Sequence, residues 1–341
     1  MASAKGNGLT WRVIFDEAGT GAHNMARDHA LAMSARRGEG VLRLYSWSAK
    51  TVSFGRHEPA NELYDKSAAD AAGIAFVRRP TGGRAVLHNA ELTYGLVLPD
   101  RTYRGPKGVY TKIHEGLAHG LAQLGVEAEV AAGGVVLTPD AGPCFQVPAP
   151  GEVVVGGQKL VGSAQVRIGN ALLQHGSIIL DGDQSDLNQL NSTADPVPAP
   201  ATLRALVGEV STWDLAEAIT GGLRGVLGGQ WQEGEYRSGE LEEAAWLESE
   251  RYGNDEWTWR QLLLGGRDEK VHSPLDECYG GTVVVAGLGD ILGGMNAAAP
   301  NDIVAQQHQQ FVNLMTLLDY DEEAMPRSDL AEGWEVSDDD R

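Results

Sequence analysis

RRPTGGRAVLHNAELTY, residues 78–94, decides how this chain is read. Ile74 to Val77 before it is a short β-branched and apolar strand, and Thr81-Gly82-Gly83 is a turn. Ala85 to His88 and Leu92 to Leu98 are strands after it. Adjacent glycines between two strands let backbone N–H groups approach a ligand closely. Arg78, Arg79 and Arg84 flank the turn, and guanidinium groups suit phosphate or carboxylate. Gly-Gly alone would read as a surface turn. Three arginines packed around it point to a ligand or partner site.

Working outward, Trp11 to Phe15 reads as a strand and Ala22 to Arg36 as a helix, with Met25, His29 and Met33 at helical spacing. Val41 to Trp47 and Thr51 to Phe54 read as paired strands, and Asn61 to Ala72 as a helix that leads through Gly73 into Ile74. Val109 to Leu124 is a strong amphipathic helix closed by Gly125. Glu152 to Val155, the turn Gly156-Gly157, Lys159 to Arg167 and Leu172 to Leu180 form a hairpin-rich stretch. The proline-rich linker Pro196 to Pro200 leads to helices over Leu203 to Val207 and Trp213 to Val226. Strands and helices interleave without a regular βαβ repeat, which predicts an α+β fold, a mixed β-sheet flanked by helices. One folded domain is expected over 1–260. Residues 261–341 form an extension, acidic and expected to be disordered from about 319.

The chain has 341 residues, 42% of them hydrophobic, enough for a substantial core. A formal net charge of -20 opposes general nucleic-acid binding. No apolar run is long enough to cross a bilayer, and the first residues show no secretory h-region, so a cytoplasmic location is expected. The positive charge is local. Arg78, Arg79, Arg84, Arg101, Arg104, Lys107 and Lys112 face only Glu91 and Asp100 in the same stretch.

The two cysteines, Cys144 and Cys278, neither make a disulfide framework nor have zinc spacing. Gly142-Pro143-Cys144-Phe145 sets a thiol in a Gly/Pro loop, where core filler is not expected. Asp276 and Glu277 precede Cys278 and disfavour its thiolate, so Cys144 is the better nucleophile. Lys159, in GQKLVGSAQ, stands among apolar strand residues, although a lysine at a strand start is more often solvated. Thr282 to Gly293 imitates a dinucleotide fingerprint, but its glycine spacing is one residue too long.

RRPTGGRAVLHNAELTY, together with GQKLVGSAQVR and LLQHGSIIL, resembles the catalytic domain shared by biotin ligases, lipoate–protein ligases and octanoyltransferases. WRVIFDEAGTGAHNMARDHAL and LRLYSWSAKTVSFGR are similar to its start, and RYGNDEWTWR to its end, so the resemblance spans roughly residues 10–260. It is greatest to octanoyltransferases of the LipM type, which form an acyl-thioester on a cysteine beside a lysine. Lipoate ligases make an acyl-adenylate instead, and their turn usually has a third glycine where this chain has Arg84. The resemblance implies a biotin/lipoate ligase-like fold and transfer of octanoyl from octanoyl-acyl-carrier protein to a lysine of a lipoyl-domain protein or glycine-cleavage H protein. No cofactor and no metal are implied. It further implies Cys144 as nucleophile, with Lys159 favouring the thiolate and stabilising the oxyanion. Gly162, Ser163 and Ala164 would assist with backbone amides. Arg79, Thr81, Gly82, Gly83, Arg84, His88 and Gln165 would line the acyl channel or hold the carboxyl end. His175 would be a general base or a buried, satisfied histidine. Arg101, Arg104 and Lys107 would dock the acidic carrier. Two other readings remain at this stage: an ATP-dependent lipoate–protein ligase, with Lys159 on the adenylate, and a non-catalytic relative that binds carrier or lipoyl domains.

Overall fold

A computed structural model describes residues 8–131, 151–191 and 199–261, together with the backbone of Leu318–Tyr320 and Pro326–Ser328. The chain divides into two units, Met1–Tyr279 and Gly280–Arg341. In the second, Leu318–Tyr320 pairs antiparallel with Pro326–Ser328.

The strands of the first unit are β1 (Thr10–Phe15), β2 (Glu39–Tyr45), β3 (Thr51–Phe54), β4 (Ala75–Arg78), β5 (Val86–His88) and β6 (Glu91–Pro99). They continue with β7 (Glu129–Val130), β8 (Val153–Val155), β9 (Gln158–Ile168), β10 (Ala171–Ile179) and β11 (Gln230–Glu233). Eight of them form a mixed sheet in the order β11-β1-β2-β6-β10-β9-β8-β7, parallel across β11-β1-β2 and antiparallel beyond. Alternate residues face opposite ways. Val13, Leu42, Leu44, Leu96, Leu98 and Leu172 belong to a core under the helices α4 (Pro106–Gln123) and α7 (Thr212–Leu227). Ile14, Val41, Val97 and Leu173 pack instead with Leu31 and Ala32 of α1 (Gly21–Met33). With helices on both faces, every residue of β10 is buried. The expected α+β mixed sheet is the observed one.

The small sheet, β4-β3-β5, corrects one expectation. Strands β2 and β3 do not pair: β2 joins the large sheet between β1 and β6, whereas β3 lies between β4 and β5. The chain between them is diverted to the start of α1. Ser46 and Ser48 make backbone bonds to Gly19, and the Asn24 amide donates to the Gly19 and Ser46 carbonyls. The helix expected over 61–72 is likewise two, α2 (Ala60–Leu63) and α3 (Lys66–Ala72), because the Asp65 carboxylate caps the Ser67 and Ala68 N–H groups and starts a new helix. The Gly156-Gly157 turn is as expected, with both residues at positive φ, 55° and 79°.

Candidate active site

The glycine turn is held by its own arginines. Arg78 is fully buried, and its guanidinium donates to the carbonyls of Gly55 at 2.7 Å, Glu58 at 2.8 Å, Thr258 at 2.9 Å and Trp257 at 3.0 Å. It ties the turn to Trp257 and Thr258, and burial lowers its pKa to about 10. Arg79 braces the loop from within, donating to Gly82 O at 2.9 Å, Arg84 O at 2.8 Å and Ser53 O at 2.9 Å.

Behind the turn, the sheet register sets Arg43, Gly95, His175 and Ala164 in one row across β2, β6, β10 and β9. Asp28, on α1, lies over that row. A Cβ at Gly95 would stand 2.6 Å from Asp28 Oδ1, so this position tolerates no side chain. Asp28 accepts from Arg43 Nη1, Tyr45 Oη and His175 Nδ1, each at 2.9 Å. Burial alone would raise the Asp28 carboxyl, but the His175 bond and the Arg43 charge outweigh it and hold the pKa below its ordinary value. With a carboxylate accepting at Nδ1, the Nε2 of His175 is left to accept from Thr81 Oγ1 at 2.7 Å. Thus Asp28 orients His175, and His175 anchors the turn at Thr81. Both histidine nitrogens are committed.

A cavity opens between the turn, α1 and the sheet. Its apolar walls include Met25, Trp47, Val86 and Ala164, and its polar walls include Arg79, His88, Ser163 and His175. Of the residues expected at the site, Arg79, Gly83, His88, Gly162, Ser163, Ala164 and His175 line this cavity. Thr81 sits behind His175. Gly82 offers its carbonyl to Arg79, and Arg84 is buried under the turn. Gln165 points toward α4, donating to Pro106 O at 3.2 Å and Gln174 Oε1 at 2.6 Å.

Lys159 is not solvated. It is 2% exposed, and its Nζ lies 2.7 Å from Glu152 Oε1 across the β8–β9 hairpin. It precedes Gly162 on β9 by three residues, about 10 Å along a strand. Nearby, His114 of α4 contacts Gly151 O through Nδ1, and Ser163 Oγ donates to its Nε2 at 2.8 Å. Burial lowers the His114 pKa to about 4, and the Lys159 charge pushes the same way. Cys144 and Cys278 lie outside the described residues. Arg101 and Lys107 are exposed at the approach to α4, and the Arg104 side chain is outside the described set.

Asp28, Glu91, His114, Glu152 and Ser53 were missed by sequence reasoning. For Asp28 a signal existed: a charged residue on the same apolar helical face as Met25. Among the described residues, no group of His, Cys, Asp and Glu is arranged to hold a metal, and no helix is long and apolar enough to cross a membrane.

Residues 20–223 match the family described as the lipoyl protein ligase A/B catalytic domain. An octanoyltransferase LipM of Kyrpidia tusciae is 39% identical over 276 residues, covering 74% of this chain and 99% of its own length. One from Symbiobacterium thermophilum is 36% identical over 278 residues, covering 74% and 98%. The structure of a bipartite lipoate protein ligase from Thermoplasma acidophilum, studied with its lipoyl domain, superimposes with a TM-score of 0.62 at 22% identity, covering 77% of this chain and all of that one. That likeness establishes the fold. By family match, by identity over nearly the whole length of these relatives and by fold, the chain belongs to the lipoyl protein ligase A/B catalytic-domain family, among its octanoyltransferases of the LipM type.

Proposed function

We propose that this chain is an acyltransferase of protein lipoylation, moving octanoyl from octanoyl-acyl-carrier protein to a lysine of a lipoyl-domain protein or glycine-cleavage H protein through a thioester on Cys144. The carrying observation is a buried ammonium, Lys159 on β9, a few residues from the backbone that walls a largely apolar cavity. A cation withheld from water on the strand that walls a largely apolar cavity suits a thiolate and a developing oxyanion.

In this reading the Cys144 thiolate attacks the carrier's thioester carbonyl. A tetrahedral oxyanion forms, stabilised by Lys159 and backbone amides of residues 162–164. The C–S bond to the carrier breaks, and its thiol leaves with a proton. The acceptor amine then attacks the Cys144 thioester, the amide forms, and the cysteine thiol is regenerated. Glu152 Oε1 lies 2.7 Å from Lys159 Nζ and holds the lysine in place. No ATP is consumed, because the thioester supplies the driving force. The proposed carriers set the reaction in the cytoplasm, and residues 261–341 are an appendage to the catalytic domain. The test is transfer from octanoyl carrier protein to a purified lipoyl domain without ATP, read as the octanoyl mass on the acceptor. Transfer seen only with ATP and free acid would replace this reading with ligation.

A further inference from the structure

One constellation on the cavity wall takes no part in the mechanism above. His88, on β5, stacks against Trp47 with ring centroids 3.8 Å apart and planes 12° apart. Its Nδ1 lies 2.8 Å from Glu91 Oε1, and its Nε2 lies 2.7 Å from Ser53 Oγ. Ser53 and His88 both line the cavity, and all three residues are buried.

Donor and acceptor accounting fixes the direction of this chain. Glu91 Oε1 also receives the hydroxyls of Thr93 and Ser177, each at 2.7 Å, which requires an acceptor there. His88 Nδ1 therefore donates to Glu91, and in the neutral imidazole Nε2 accepts from Ser53 Oγ–H. Arg79 Nη1 lies 3.1 Å from the same Ser53 oxygen, so a cation already faces the atom. Trp47 Nε1 donates to Thr93 Oγ1 at 2.8 Å and fixes the plane on which His88 stacks. Glu91 Oε2 is buried with no hydrogen-bond partner among the described residues, a cost that packing alone does not explain.

We propose that Ser53, His88 and Glu91 form a Ser-His-Glu triad that gives the cavity a second, serine-based activity: hydrolysis of medium-chain acyl esters and thioesters. This rests on the reading of the cavity as the acyl site. Ser53 Oγ attacks the acyl carbonyl while His88 Nε2 takes its proton, and Glu91 stabilises the imidazolium. The bond to the alcohol or thiol breaks, and the leaving group takes the proton from Nε2. Water, deprotonated by the same nitrogen, then attacks the Ser53 ester, giving the free fatty acid and restoring the hydroxyl. Such a step would clear chains that enter the cavity without an acceptor lysine.

The test uses the full chain carrying Cys144→Ala, so that a covalent adduct cannot arise on that thiol. Octyl fluorophosphonate is added, and intact mass and peptide mapping are read with and without excess octanoic acid. The expected result is one phosphonyl mass on Ser53, with labelling slowed by octanoic acid. Hydrolysis of p-nitrophenyl octanoate by the same protein should fall about 100-fold on adding Ser53→Ala or His88→Gln. Labelling needs no change at the triad, so a misfolded variant does not obscure the answer. An adduct elsewhere, no adduct, or hydrolysis unaffected by Ser53→Ala overturns the proposal. Acylation of the unmodified protein by octanoyl carrier protein is measured separately, and its outcome bears on Cys144 alone.

Discussion

Asp28→Asn removes one charge and almost no volume, so it isolates the electrostatic support of the glycine turn. The three atoms facing Asp28 are all donors: Arg43 Nη1, Tyr45 Oη and His175 Nδ1. An asparagine offers one oxygen and turns an NH₂ toward at least one of them, so a buried donor meets a donor. Breaking a buried charge pair usually costs about 3–5 kcal/mol. Arg43 is fully buried but retains Asp16 Oδ2 at 2.9 Å and two bonds to Asn24, at 3.0 and 2.9 Å, which sets the loss at the lower end, about 3 kcal/mol. For a domain of this size, that corresponds to a melting point roughly 6–12 °C lower. The assay is thermal and urea unfolding of wild type and variant side by side. Acyl transfer should fall by more than the loss of folded protein, because His175 loses the partner that directs Nε2 to Thr81. A variant within about 0.5 kcal/mol of wild type, with unchanged transfer, would refute the network as a support of the site.

Other outcomes follow from the same contacts. Burial lowers the pKa of His29 to about 3 and of His114 to about 4, so between pH 6.5 and 4 the unfolded chain binds protons that the native chain does not. Stability is therefore full above pH 6.5 and declines as pH falls, by about 5 kcal/mol for the two histidines at pH 4.5; urea titrations at stepped pH should show this, and His114→Gln should remove about half. Lys159→Ala should move the pH profile of thiol alkylation toward the free-cysteine value of about 8.5, and coincident profiles would dismiss Lys159 as activator. Charge reversal at exposed Arg101 and Lys107 should raise the apparent KM for carrier protein, and added salt should slow carrier-dependent acylation more than acylation by a small thioester; equal salt sensitivity would dismiss docking there.

Much of the framework was legible because local chemistry repeats the global answer. Gly156-Gly157 could only be a tight hairpin turn, and the spacing from Val109 onward could only be an amphipathic helix, which the structure extends by one turn to Pro106. Strand partners were less legible. Strands β2 and β3 are adjacent in sequence and almost fully buried, so neither burial pattern nor turn residues distinguish them, and the bonds of Gly19 and Asn24 separate them. The site was read in part. Residues within the recognised motifs, such as Arg79, Gly83 and His88, reach the cavity. Their supports did not stand out because each comes from another element: Asp28 lies 147 positions from His175, and Ser53 lies 35 from His88. Gln165 sits within the motif, yet strand alternation turns it toward α4.

The central claim is an acyl-enzyme on Cys144 formed without nucleotide. Intact-mass analysis of the full chain after mixing with octanoyl carrier protein, in the absence of ATP, tests it most directly. The account predicts one added octanoyl mass, released by hydroxylamine, mapped to the peptide bearing Cys144, abolished by Cys144→Ala and retained in Cys278→Ala. A label on Cys278, or acylation that appears only with ATP, would contradict it.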